Sequence, residues 1–171
     1  MALTVEDGTG LANADSYLSE ADADTYHTNH SNSASWSGAT TATKEAALRM
    51  ATQYLDAVYG MLWLGTRTNE LQALDFPRQD IFDRDGFVVS STAVPQEIKN
   101  ACAEAALRNI TETAGLLPDI TSPGTIKSES DKIGALATSK TYVGGKSQIK
   151  KFRIIDLLVA GLIDSGSIER A

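Results

Sequence analysis

Apolar positions recur at helical spacing in two long segments of the chain and lose that spacing beyond Leu117. Through TKEAALRMATQYLDAVYG and just past it, Leu48, Ala51, Leu55, Val58 and Leu62 follow 3-4-3-4 intervals, the pattern of one apolar stripe facing a core. Thr43 is placed to cap this helix, Glu45 sits in its first turn and Gly60 closes it. A second helix opens at Pro95, where a missing amide costs nothing, and reads through QEIKNACAEAALRNITET to Gly115. Its contact positions are small (Ala101, Cys102, Ala103, Ala105, Ala106), so a neighbouring helix is expected to approach closely. Ser19, followed by Glu20 and Asp22, starts a shorter helix that runs to about His30. The intervening SNSASWSGATTA reads as a loop plugged onto the core by the indole of Trp36.

Beyond Leu117 the chain turns to Gly, Ser, Thr and Lys. Segments 125–130 and 133–142 are expected to pair as a hairpin around Ser130 and Asp131. The chain then finishes in FRIIDLLVAGLIDSG, where Phe152, Ile155, Leu158, Val159 and Leu162 make a short helix with more apolar surface than a free tail needs. Such a helix docks either on its own core or on another subunit. The fold class expected is therefore mainly α: a small helical bundle, residues 1–117, with a β-hairpin or flexible appendage, 118–148, and an extended C-terminal docking tail, 149–171, ending in a short helix. At 171 residues and 42% hydrophobic content the chain buries one core. Its longest apolar run is interrupted by Asp156 and is too short to span a bilayer, and no basic-then-apolar leader opens the sequence, so a soluble, non-secreted protein without membrane contact is expected.

Charge changes sign along the chain. Residues 1–43 carry six acids (Glu6, Asp7, Asp15, Glu20, Asp22, Asp24) and no Lys or Arg, whereas 140–153 carry Lys140, Lys146, Lys150, Lys151 and Arg153 and no acid. With a net charge of -7, a single short basic strip is a poor grip for nucleic acid, and a solvated strip or one that meets an acidic partner fits better. Cys102 has no disulfide partner and falls in the alanine-rich helix, where a buried small hydrophobe is expected.

The densest candidate chemistry lies in LDFPRQDIFDRDGF, residues 74–87, with four carboxylates, two arginines and a proline. A calcium loop needs a glycine sixth and a bidentate glutamate twelfth. Placing Gly86 sixth puts Ile81 first and Thr92 twelfth, and both strong ligands fail. DRDG is instead a tight turn, with Asp83 bonding its own backbone and Gly86 at positive φ. Pro77 holds Phe76 extended and sets the trajectory of Arg78, whose guanidinium suits a carboxylate on a neighbouring segment or subunit. His27 and His30 stand at i and i+3, too few for a zinc site without further ligands, and read as surface or helix-end histidines. GTG at 8–10 lacks the context of a dinucleotide loop and reads as a plain loop. No nucleophile with its base is apparent, so neither enzyme activity nor a metal or cofactor is expected.

The order ANADSYLSEADADTY, Trp36, KEAALRMATQYLD, WLG with Trp63, LQALDFPR, DRDG, VPQEIKNACAEAAL resembles the head-completion, or neck adaptor, proteins of tailed bacteriophages across about residues 10–115. Its most specific features are Gln72, Leu74, Pro77, Arg78 and the Val94–Pro95 pair; Phe76 stands where such proteins tend to have tryptophan. Members of this group are often labelled DnaT-like single-stranded-DNA-binding proteins, so the resemblance carries two functions. The first implies a homo-oligomeric ring, a dodecamer, in the virion neck below the portal, made in the bacterial host cytoplasm. Such a ring contacts the portal protein and a stopper or tail-completion protein, and DNA passes through its channel without tight binding. Arg78 and the tail residues Lys150, Lys151, Phe152, Arg153, Ile154, Ile155, Leu158 and Leu162 are then the expected contacts to the portal or an adjacent subunit. Removing 150–171 is expected to abolish portal attachment and leave the helical core folded. The second implies single-stranded-DNA binding as a replication accessory, through the basic strip with Tyr142 and Phe152 as stacking aromatics.

Overall fold

A computed structural model describes residues 2–30, 33–112, 115–117 and 151–164, with the backbone of 128–133 and 136–141. The elements in chain order are α1 (Glu20–His30), α2 (Ala34–Ser37), α3 (Thr41–Tyr59), β1 (Thr66–Arg67), β2 (Arg78–Gln79), α4 (Gln96–Thr111), β3 (Ser128–Ile133), β4 (Leu136–Thr141) and α5 (Arg153–Val159). The protein is mainly α-helical with a small antiparallel hairpin. It forms two compact units, residues 1–117 with 153–171, and residues 118–152.

In the first unit α3 lies on α4, and the sequence explains how close they come. Ala101, Cys102, Ala105 and Ala106 on α4 and Leu48, Ala51 and Leu55 on α3 are fully buried. The Cys102 sulfur reaches the Thr52 hydroxyl at 3.5 Å, and burial pushes its thiol up to about 11. Small side chains on α4 are what permit this approach. The stripe on α3 departs from the expected spacing at its end, where Tyr59 is buried and Val58 is exposed, because four residues from Leu55 lie closer to one face than three.

Several boundaries shift for identifiable reasons. Thr40 rather than Thr43 caps α3, its side chain accepting from the Thr43 amide. The expected loop around Trp36 contains the single turn α2, which carries the buried indole. Pro95 occupies the N-cap position, and α4 ends at Thr111, whose hydroxyl bonds back to the Leu107 and Arg108 carbonyls while Glu112 is extended. In α1 the Ser19 hydroxyl accepts from the Asp22 amide and bonds the Asp22 carboxylate, as the sequence anticipates.

The second unit contains the two-stranded hairpin. Its register pairs Asp131 with Thr138 and Ile133 with Leu136, so Ser130 and Asp131 lie within β3 and the reversal falls later in the chain than expected. Lys146 and Lys150 lie outside the described residues.

Helix α5 docks on its own core. Ile155, Val159, Leu162 and Ile163 are buried, α5 packs against α4, and the Tyr59 hydroxyl donates to Asp156. The chain after α5 pairs with the segment after α3: Leu64 N donates to Leu162 O at 3.0 Å and Asp164 N to Leu62 O at 2.9 Å. Each buried aliphatic here contributes about 1.5–3 kcal/mol, against a typical domain stability of about 5–15 kcal/mol. Helix α5 is therefore part of the first unit's core, so removing the tail carries a stability cost that the sequence-based expectation did not include. Among the described residues no helix is long and apolar enough to cross a membrane.

The docking gives a direct contrast between the two faces of α5. Ile155→Ala should lower urea-unfolding stability by about 2–5 kcal/mol. Leu157→Ala, on the exposed face, should stay within about 0.5 kcal/mol. Equal effects would show that α5 is not seated this way.

Candidate functional site

The segment from Gly60 to Val89 gathers most of the residues singled out by the sequence. Gln72, almost completely buried, organises its first half. The Gln72 carbonyl oxygen accepts from the Asn69 amide at 2.9 Å, and its amide donates to the Leu74 and Pro77 carbonyls at 2.7 and 3.1 Å. Leu74, Phe76 and Pro77 are buried, and the Phe76–Pro77 bond is cis. Trp63 packs edge-on against Phe76 at 5.1 Å. The Arg78 guanidinium is taken up by this protein's own carbonyls: Nε donates to Leu64 O at 2.8 Å and Nη2 to Gly65 O at 2.7 Å. Gly65 has φ 67°, and a Cβ there would fall 2.1 Å from Gln79 O, so only glycine lets β1 and β2 meet.

Beneath this segment sits a cluster whose members share no spacing along the chain. The Tyr17 hydroxyl donates to Asp56 of α3 and accepts from the Asp75 and Phe76 amides at 3.0 and 3.3 Å. Burial pushes the Asp56 carboxyl up to about 7, with the Tyr17 bond opposing that shift and the Asp75 charge adding to it. Burial also raises Asp75, while Arg78 and Arg67 hold it down. The Trp63 indole N–H is buried without an acceptor at normal distance and interacts only weakly with Asp75. These bonds join the N-terminal segment, α3 and the 68–77 loop to one another, which makes the cluster a fastening of the fold. Among the described residues no group of three or more His, Cys, Asp or Glu is placed to hold a metal.

A second carboxylate is buried near the N-terminus. Glu6 accepts from the amides of Gly8, Gly10 and Leu11, each at 2.9 Å, so the GTG loop wraps an internal carboxylate. Other acids of the first third are also engaged. Asp15 meets Arg49 at 2.7 Å, and Asp24 takes Lys44 at 2.7 Å and the Trp36 indole at 2.7 Å. Glu20 lies 3.7 Å from Lys44. His27 is not at the surface: it is buried, with Nε2 3.2 Å from Ala103 O, and burial lowers its pKa.

Two exposed features remain. The DRDG turn ends a tongue, in which Asp83 Oδ1 accepts from the Asp85 and Phe87 amides at 2.9 and 2.8 Å and Gly86 has φ 87°. Phe82 and Val88 pair across it, and Phe82, Phe87 and Val88 are 57%, 72% and 70% exposed. The other is a groove of about 380 Å³ between α1 and the first turn of α4. The tail residues expected at a partner surface divide: Lys151, Arg153 and Ile154 are exposed, Leu158 is half-buried, and Phe152, Ile155 and Leu162 are buried.

A helical core with exposed apolar projections, together with a small hairpin, defines a mainly α protein. Over residues 1–171 the chain matches the family described as "Putative DnaT-like ssDNA binding protein", and it belongs to that family. No curated protein and no solved structure matches it.

The Asp56 environment sets a pH dependence. A carboxyl raised in the folded state binds a proton that the unfolded chain has released, so this contribution is present at low pH and is lost as pH rises through about 7. Wild-type stability should fall from pH 5 to pH 8 by on the order of 2 kcal/mol more than that of Asp56→Asn, which keeps an oxygen for Tyr17. Parallel pH profiles from urea melts would show the cluster to be ionised throughout.

Proposed function

We propose that this protein is a structural component of a virion neck, a ring-forming adaptor between the capsid portal and the stopper or tail. The observation that carries the reading is the combination of internally engaged charge with uncovered apolar side chains. Lys44, Arg49 and Arg108 pair with acids of the same chain, and Arg78 binds backbone carbonyls. Phe82, Phe87, Val88, Leu71 and Met61 meanwhile stand exposed. Surface of that kind suits contact with protein, and the motif order of residues 10–115 supports the same reading. In this function the 74–78 motif acts as a scaffold, with Gln72 and Arg78 holding the loop that leads into the tongue.

A second reading, single-stranded-DNA binding, is favoured by the family's description. It would draw on Lys140 of β4 and on the exposed Lys151 and Arg153. Most aromatics of the core, Tyr17, Trp36, Tyr59, Trp63 and Phe76, are buried and so provide no stacking surface.

One experiment separates the two. Purified protein is mixed with portal complexes and imaged by electron microscopy, while labelled single-stranded DNA is titrated in parallel at low and high salt. The adaptor reading expects a ring on one end of the portal and no salt-sensitive DNA binding. A bare portal, with DNA bound at low salt, released at high salt and lost when Lys140, Lys146, Lys150, Lys151 and Arg153 are neutralised, would establish the second reading instead.

A further inference from the structure

The tongue and the α1–α4 groove are complementary features of one chain. At the tongue tip Arg84 and Asp85 stand side by side, 3.8 Å apart, with side chains 90% and 66% exposed. An ion pair that open is worth little, so both charges remain available to a partner, flanked by the apolar Phe82 and Phe87. The groove has the matching composition. Along α1, Asp22, Tyr26 and His30 recur every four residues and so share one helix face, and Lys99 of α4 lies on the opposite wall. The Tyr26 and His30 rings are stacked at 4.2 Å, giving a flat aromatic surface with an acid at one end. Lys99 is in none of the ion pairs among the described residues. No tongue residue lines the groove of its own chain.

We propose that the tongue of one copy seats in the α1–α4 groove of the next, with Phe87 against the Tyr26–His30 stack, Arg84 facing Asp22 and Asp85 facing Lys99. The occupant is a second copy because the opposed charges of the tip find opposed charges in the groove, two pairs at once. A phosphate backbone would meet Asp22 at the same place. Because projection and receptacle are different surfaces, the contact is head-to-tail, the type that generates a ring when its rotation closes. The inference rests on the adaptor reading and names the surface through which neighbouring subunits would meet.

Charge reversal on the full chain tests it, with rings counted on portal complexes by electron microscopy and folding checked by circular dichroism. Arg84→Glu alone and Asp22→Lys alone should each cut ring occupancy at least about tenfold, since like charges placed together cost several kcal/mol. The double variant, Arg84→Glu with Asp22→Lys, should restore most of it. A Phe87→Cys, His30→Cys chain should form an oxidant-dependent ladder of linked copies on the portal, which neither single cysteine gives; Cys102 is buried and does not interfere. Rings unaffected by the single reversals, no rescue by the double, or cysteine linkage to portal protein instead of to another copy would overturn the proposed contact while leaving the adaptor standing. Absence of any ring with the wild-type chain would remove the adaptor reading itself.

Discussion

The Tyr17 hydroxyl is the contact on which the arrangement of the first unit turns. It donates once, to Asp56, and accepts twice, from the Asp75 and Phe76 amides. A phenolic oxygen has one proton and two lone pairs, so the group is saturated. It sits at the junction of three segments that share no secondary structure: the N-terminal strand-like stretch, the last turns of α3, and the loop that carries Phe76 and Arg78. Burying a polar group without partners costs more than a made bond returns, so displacement of any one segment leaves at least one of these groups unsatisfied. The raised Asp56 carboxyl is the electrostatic consequence of gathering them away from water. The Arg78 bonds to Leu64 O and Gly65 O extend the same fastening to the short β1–β2 pair.

Several charges of the first third are engaged inside the fold. The first 43 residues carry six acids and no Lys or Arg. In the structure Glu6 is enclosed by backbone amides, Asp15 holds Arg49, and Asp24 holds both Lys44 and Trp36. Such pairs fix α1 and α2 against α3.

The elements whose local chemistry is decisive were legible in the sequence. The Ser19 cap, the two long helices, the small face of α4 and the Asp83–Gly86 turn each depend on residues close together in the chain. What could not be read depends on residues far apart. Tyr17, Asp56 and Asp75 have no common spacing, and the burial of His27 follows from the approach of α4, 76 positions away. The apolar excess of α5 was visible, but sequence alone left its docking partner open between its own core and another subunit. The backbone bonds from Leu162 and Asp164 to the segment after α3 place it on the core.

That placement moves the question of partners from the tail to the tongue. Once Ile155, Val159 and Leu162 are buried internally, the described part of the tail keeps its outer face, with Ile154 and Leu157. The tongue keeps its aromatics in the open for a structural reason: Asp83 closes the turn with bonds to its own backbone, so the two arms pair with each other while Ile81 alone anchors them in the core. A turn that shapes itself needs no packing from Phe82 or Phe87. Two large apolar side chains that the fold does not require, held on a projection of defined shape, have a ready physical use in contact with another molecule.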